Sequence, residues 1–156
     1  MNTQFGEEIT ARILAGRRRR LFGSSPLYEP YRGVAGSDLD AVEKRLGHVL
    51  PEGLRSFLLV AGYGDINEVL SLREDWFSVI ESGELAGHVT FAQDDGGNFY
   101  TFCPTDGRVH FVCRSFPEYA PMAAGFYEFL RELEQHSFHI EAWTSGLNCL
   151  PYHWST

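Results

Sequence analysis

Apolar residues recur at the spacing of one helical face in four segments of this chain. Their stripes are, in chain order, Phe5, Ile9 and Ile13; Leu39, Val42 and Leu46; Leu54, Phe57, Leu58 and Ala61; and Phe126, Phe129, Leu130 and Leu133. Repeats of i, i+3, i+4 and i+7 are typical of a helix with one buried face. The pattern therefore predicts helices over residues 4–16, 37–46, 51–61 and 122–134.

The two central helices also carry end signals. Ser37 is a favoured N-cap residue, and Gly47 can adopt the left-handed conformation that ends a helix. Pro51 suits the first position of the next helix, and Gly62 would stop it. These signals favour two short helices in succession.

Between these helices and the last one, the pattern changes to strands. Residues 88–92, 99–103 and 108–114 are rich in β-prone residues, and 104–107 have the composition of a hairpin loop. A symmetric hairpin would place Phe102 opposite Val109, and Tyr100 opposite Phe111, with all four on the buried face. A slip of one residue would exchange the two faces.

The pattern predicts an α+β single domain in which Phe57, Phe111 and Phe129 share one core. We divide the chain into an N-terminal helix with an arginine run (1–22), a connector rich in Gly, Ser and Pro (23–36) and the main body (37–156). The tail after Phe138 contains two tryptophans, which predicts that it packs on the body.

Charge is distributed unevenly along the 156 residues, whose net charge is −8. Residues 1–20 hold five arginines and two glutamates, which leaves eight basic and nineteen acidic residues, a net charge of −11, in the rest. An acidic body repels nucleic acid and attracts basic proteins. The run Arg17 to Arg20 is expected to be a solvated helix end, and the alternative is a phosphate contact.

The cysteines and the apolar runs indicate the cellular compartment in which the protein is expected. Cys103, Cys113 and Cys149 form no C-x-x-C pair, which is typical of reduced thiols in the cytosol. The longest apolar run, 57–61, is too short to cross a membrane, and arginines interrupt any signal-peptide core. We expect a cytoplasmic protein without a membrane segment or cofactor.

The order of elements resembles a known family. The stretches Ser37-Asp38-Leu39-x-x-Val42-Glu43-x-x-Leu46-Gly47-x-x-Leu50-Pro51, Phe91-Ala92-Gln93-Asp94-Asp95-Gly96-Gly97-Asn98-Phe99-Tyr100 and Gly125-Phe126-Tyr127-Glu128-Phe129-Leu130 are similar to the opening, centre and closing helix of the SUKH superfamily. That superfamily is named for the fungal Smi/Knr cell-wall regulators and related bacterial proteins. The resemblance covers residues 33–134 and implies an antiparallel β-sheet with flanking α-helices.

The resemblance also implies a binding role rather than an enzymatic one. Many bacterial members look like immunity proteins that neutralise a secreted toxin, often a nuclease. We therefore expect a protein partner, namely a basic polymorphic or contact-dependent toxin. The alternatives are a regulatory scaffold of the Smi/Knr type and, more remotely, a hydrolase that uses Asp94 and Asp95.

The segment from Asp94 to Asn98 is the most tempting site. Paired carboxylates can bind a cation or catalyse proton transfer, but Asp, Gly and Asn are also the residues of a tight turn. The predicted partner-binding residues are Asp94, Asp95, Asn98, Asp75 and Trp76, with no catalytic residue. Asp94, Asp95, Glu68, Glu74 and Asp75 are expected to lack internal partners, and Trp76 to be either an exposed anchor or a core residue.

A histidine pair is the remaining candidate. His136, His139 and Glu141 could place metal ligands near one another, but zinc needs further ligands of defined geometry that no motif supplies. We therefore expect a histidine pair on the surface or at a helix end, and no metal. The sequence contains no phosphate loop, nucleophile elbow or H-E-x-x-H motif.

Overall fold

A computed structural model describes residues 3–154. Its helices are α1 (Thr3–Ala15), α2 (Gly36–Leu46), α3 (Glu52–Ala61), α4 (Phe126–Gln135) and α5 (Ile140–Thr144). Its strands are β1 (Arg17–Arg19), β2 (Ser24–Pro26), β3 (Tyr28–Arg32), β4 (Tyr63–Ile66), β5 (Leu70–Leu72), β6 (Ser78–Val79), β7 (Val89–Asp94), β8 (Phe99–Phe102), β9 (Val109–Val112), β10 (Glu118–Ala123) and β11 (Leu150–Pro151).

Strands β3 to β11 form one nine-stranded antiparallel sheet. Its order is β11-β10-β9-β8-β7-β5-β4-β3, and β6 pairs with β7 beside this path. Strands β1 and β2 form a separate two-stranded hairpin. The predicted α+β class, an antiparallel sheet with flanking helices, is confirmed.

The main core lies between the helices and one face of the sheet. Phe57 of α3, Phe111 of β9 and Phe129 of α4 all belong to it, as predicted. Tyr100 joins two of them, since its ring centroid lies 5.8 Å from those of both Phe111 and Phe129. Successive strand residues point to opposite faces. Val112, next to Phe111, accordingly belongs to a smaller second cluster across the sheet, with Leu85 and Tyr152.

The β8–β9 hairpin has the predicted register. Phe102 lies opposite Val109, and Tyr100 lies opposite Phe111. All four side chains are buried. The three cysteines are free.

The arginine run is not a helix end, so that prediction is wrong. α1 stops at Ala15, and Arg17–Arg19 pairs with Ser24–Pro26 as the hairpin of β1 and β2. The Leu27 amide donates to the Gly16 carbonyl at 2.9 Å, which turns the chain out of the helix. Residues 23–36 also differ from a bare connector, because they contain β2 and β3, and β3 pairs with β4.

Three predicted helix starts are displaced. α2 begins one residue before Ser37, because Ala35 is its N-cap and its amide donates to the Asp38 carboxylate at 2.8 Å. Pro51 precedes α3 as its N-cap. α4 begins only at Phe126, because residues 118–123 pair with β9 as a strand.

The tail packs on the body, as predicted. Trp143 of α5 is buried, and its ring stacks on His136 with 5.7 Å between centroids. Tyr152 is buried on the other face of the sheet, whereas Trp154 remains 46% exposed. Residues 1–2 and 155–156, at the ends of the predicted segments, lie outside the described part of the chain.

Candidate partner-binding groove

An open groove of about 490 Å³ crosses the sheet face that the helices leave uncovered. Its lining residues are Asp75, Trp76, Ser78, Val79, Ile80, Glu81, Ser82, Thr90, Gln93, Phe99 and Trp154. They come from the turn before β6, from β6 and the loop after it, from β7 and β8, and from the C-terminal tail. The groove therefore joins segments that are far apart in sequence.

A single 3-10 turn, Glu74–Trp76, presents the first wall of the groove. The Phe77 amide closes this turn by donating to the Glu74 carbonyl at 3.1 Å. The Phe77 side chain is only 1% exposed, so it fixes the turn to the core. Asp75 and Trp76 are left at the surface, exposed and half-buried respectively.

The opposite wall is an aromatic pair at the C-terminal end. The Trp154 ring packs on Tyr152 with 4.2 Å between centroids, and the Tyr152 hydroxyl donates to the Ser82 carbonyl at 2.7 Å. Gly83 permits this packing, because a Cβ there would lie 2.3 Å from the Tyr152 ring. The tail is thereby held across the sheet, and Trp154 forms part of a surface.

The electrostatic character of the groove is acidic. Asp75 and Glu81 are exposed, and neither carboxylate has an ion-pair partner among residues 3–154. The nearby Arg73 guanidinium lies over aromatic rings, 4.1 Å from the Tyr31 centroid and 5.4 Å from that of Trp76. Free carboxylates can bind a cationic side chain by charge, and neighbouring indole rings can bind the same cation by cation–π attraction.

The predicted Asp94 loop is a turn, and its carboxylate is occupied. Asp94 Oδ1 accepts the amides of Gly96 at 2.9 Å and Asn98 at 3.0 Å. Its Oδ2 accepts the Asn98 side-chain amide at 3.1 Å and the Tyr100 hydroxyl at 2.7 Å. The expectation that Asp94 lacks internal partners is therefore wrong.

The structure separates the predicted partner-binding residues into two places. Asp75 and Trp76 lie together in the groove. Asp95 instead lines a different depression, beside His139 and Glu141. Asn98 is tied to Asp94, and its own Oδ1 accepts the Arg114 amide at 2.9 Å.

Two further acids were expected to lack internal partners, and that expectation is also wrong. Glu68 forms ion pairs with Arg18 and Arg20, and Glu74 with Arg32 at 2.7 Å. The hairpin β1–β2 brings Arg18 and Arg20 to Glu68, and β3 carries Arg32. Both pairings depend on strands within the segment where the sequence predicted a helix end and a connector.

Sequence reasoning missed Glu81, Phe99 and Trp154 as groove residues. Phe99 was assigned to a strand, and strand alternation places it on the face opposite Tyr100. That signal was available, but nothing indicated that this face would be open. Trp154 follows a tail segment whose pairing with β10 has no local sequence pattern.

A histidine pair lies elsewhere on the sheet. The rings of His88 and His110 are 5.4 Å apart at their centroids. Burial lowers the pKa of both, and the charge of His88 lowers the pKa of His110 further. Neither Nδ1 atom has a hydrogen-bond partner in the described part of the chain, nor does the buried Thr101 hydroxyl.

The sequence offers His136, His139 and Glu141 as alternative metal ligands. His136 has a structural role, and His139 and Glu141 line the depression beside Asp95. His136 Nδ1 lies 2.8 Å from the Glu132 carbonyl, and its ring stacks on Trp143. Within residues 3–154, no group of three or more His, Cys, Asp or Glu side chains has a geometry that could hold a metal ion.

Across residues 3–154, no helix combines the length and the apolar character needed to cross a membrane.

One protein family is similar to this chain in sequence. The model of the SMI1 / KNR4 family (SUKH-1) matches residues 33–132, which include α2, α3, β4 to β10 and most of α4. No curated protein matches the chain significantly.

Proposed function

The chain belongs to the SMI1 / KNR4 family (SUKH-1), and from this premise we propose that it is a protein-binding module of the immunity type. It neutralises a basic toxin, such as a nuclease, by direct binding in the groove of Asp75 and Trp76. The observation that carries the proposal is that two carboxylates without an ion-pair partner in residues 3–154 lie beside partly exposed aromatic rings in one groove. The partner's counterpart is a basic surface rich in Arg or Lys.

Aromatic residues are enriched among the side chains that dominate binding energy at interfaces. Trp76 and Trp154 supply rigid apolar area, while Asp75 and Glu81 select for positive charge. The net charge of −11 outside residues 1–20 adds long-range attraction for the same partner. A toxin surface that binds phosphate is basic, so occupation of it by this groove would block its substrate.

The same observations support a role without catalysis. The Asp94 carboxylate accepts hydrogen bonds from two amides, a side-chain amide and a hydroxyl. A carboxylate so occupied is a poor general base. We propose that the protein acts in the cytoplasm, where its three free cysteines would remain reduced.

The test is capture of the partner by the tagged chain in its native host. The groove variant Asp75→Asn/Glu81→Gln removes two charges. A matched variant, Asp95→Asn/Glu141→Gln, removes two charges from the other depression. We expect the wild type and the matched variant to capture and inhibit a basic toxin, and the groove variant to lose at least tenfold in affinity.

Two results would overturn the proposal. Equal toxin inhibition by the groove variant would place the binding surface elsewhere. Capture of an endogenous wall-synthesis or signalling protein, with no toxin inhibited, would assign the chain to the regulatory scaffold class.

A further inference from the structure

The tip of the β1–β2 hairpin is an exposed apolar pair. Leu21 is 91% and Phe22 is 89% exposed, which are the highest values among the large hydrophobic residues described. The Arg20 amide donates to the Gly23 carbonyl at 3.1 Å and closes the turn, with Gly23 at a φ of +79°. The turn thus holds two neighbouring large apolar side chains in water, and contiguous exposed apolar surface marks candidate interaction sites.

Positive charge surrounds this apolar tip. Arg18 and Arg20 are paired with Glu68, whereas the Arg17 side chain hydrogen-bonds within residues 3–154 to Ser24 alone. The Arg19 side chain has no hydrogen-bond or ion-pair partner in residues 3–154. Arg17 and Arg19 alternate with Arg18 along β1, so they share one face of the hairpin.

The groove has the complementary composition. Trp76, Phe99 and Trp154 give it an apolar surface, and Asp75 and Glu81 give it unpaired negative charge. Its volume of about 490 Å³ accommodates a short apolar segment rather than a whole domain. The chain thus carries an apolar tip with free cations and an apolar groove with free anions.

We propose that the hairpin tip of one copy occupies the groove of a second copy. Leu21 and Phe22 lie between the groove's tryptophans, and Arg17 and Arg19 face Asp75 and Glu81. The contact joins two different surfaces, so it is head-to-tail and can extend into a chain or close into a ring. The inference rests on the proposed function in taking the groove as a binding surface, and it adds an occupant that competes with the toxin.

The small size of the contact makes the association weak and reversible. Interfaces that bury less than about 1,200 Å² are typical of transient encounters. A basic toxin with a larger contact would therefore displace the hairpin. Self-association would cover the exposed tip and the groove until the partner arrives.

The test measures self-association of the purified full chain by sedimentation velocity over a concentration series. The hairpin variant Leu21→Ser/Phe22→Ser keeps the groove, and the charge-reversed groove variant Asp75→Lys/Glu81→Lys keeps the hairpin. We expect the wild type to associate more as its concentration rises, and each variant alone to associate at least tenfold more weakly. The residues changed are exposed, so the melting temperature should stay the same.

Mixing the two variants provides the decisive measurement. One has only a working groove and the other only a working hairpin, so an equimolar mixture should form a one-to-one dimer that grows no further. A wild type that stays monomeric throughout, or a mixture that stays monomeric, would overturn the inference. Because no toxin is present, this failure is distinct from failure of partner capture.

A basic, apolar hairpin tip could instead contact an anionic membrane surface. Vesicles of phosphatidylglycerol, which is anionic, test this alternative. If the wild type binds them, the hairpin variant does not, and no self-association occurs, then the tip contacts a membrane surface and the inference is wrong. Self-association that weakens with added salt and persists without vesicles supports it.

Discussion

The Tyr100 hydroxyl donates a 2.7 Å hydrogen bond to Oδ2 of Asp94, although the two residues stand at opposite ends of a turn. The Tyr100 ring is fully buried between Phe111 and Phe129. The bond therefore ties a surface turn to the centre of the core.

We predict that Asp94→Ala lowers the free energy of unfolding by about 2–3 kcal/mol, because it leaves the buried Tyr100 hydroxyl and the turn amides unpaired. Asp95→Ala, in the same turn, should change it by less than about 0.5 kcal/mol, because that side chain is exposed. Urea denaturation measures both. If Asp94→Ala destabilises the protein as little as Asp95→Ala is expected to, the Asp94 hydrogen bonds contribute nothing to stability.

How much could be predicted from the sequence differs between the core and the site. The helical stripes and the β8–β9 register were predictable, because period and turn length determine them locally. The hairpin at Arg17 was not, because four arginines at the end of a helical stripe favour a helix terminus by the dipole argument. Pairing with Ser24–Pro26 and the ion pairs to Glu68 outweigh that preference.

The groove could be predicted only in part. Asp75 and Trp76 stand out in the sequence as an acidic aromatic pair, and they do line it. Trp154 meets them only because β11 pairs with β10 and Tyr152 packs against Gly83. Contacts over some seventy residues leave no periodic signal, so the composition of the groove required the three-dimensional structure.

A second prediction concerns alkaline pH. Burial raises the pKa of Tyr63 to about 12, and it raises the pKa values of Tyr28 and Tyr100 well above their ordinary value. The unfolded chain releases these protons near pH 10, whereas the folded chain keeps them. Stability is therefore complete below pH 10 and falls as the pH rises above it.

Urea denaturation between pH 8 and 11.5 should reveal this loss, up to about 1.4 kcal/mol per pH unit for each buried tyrosine. Tyr100→Phe should reduce the fall in unfolding free energy per pH unit above pH 10 by about the contribution of one buried tyrosine. If that variant retains the full slope, the Tyr100 proton is not linked to folding.

A third prediction concerns acid. Burial lowers the pKa values of His88 and His110, so the folded state favours both rings in the neutral form. Below about pH 6.5 the unfolded chain takes up protons that the folded chain resists. The stability contributed by the pair is present above pH 6.5 and is lost as the pH falls through the folded pKa values.

The double variant His88→Gln/His110→Gln should unfold with a smaller loss of stability between pH 7 and pH 5 than the wild type. His139→Gln, at an exposed position, is the matched control and should retain the wild-type dependence. A double variant with an unchanged pH profile would disprove the linkage.

A fourth prediction concerns the docking of α1 on α4. A Cβ added at Gly6 would lie 2.1 Å from Cε2 of Tyr127. The Tyr127 ring of α4 therefore packs directly on the α1 backbone, which is possible because Gly6 has no side chain. Gly6→Ala should lower the free energy of unfolding by about 1–3 kcal/mol through overpacking. Gly146→Ala, where the nearest atom would lie 3.7 Å away, should have little effect on the urea midpoint. Similar midpoints for the two variants would mean that α1 is not fixed at this contact.

The last prediction concerns the rate of association with the proposed basic partner, and it rests on the unpaired acids of the groove. Opposite charges accelerate an encounter above the unsteered rate of about 10⁵–10⁶ M⁻¹s⁻¹, and salt screens exposed charges over about 10 Å at 0.1 M. We expect the association rate, measured by stopped flow, to fall steeply with added salt. The variant Asp75→Asn/Glu81→Gln should lower both the rate at low salt and its salt dependence, more than the matched variant Asp95→Asn/Glu141→Gln does. Equal losses from the two variants would mean that the whole acidic body steers the partner and that the groove has no special part in the encounter. A rate independent of salt would remove charge from the recognition altogether.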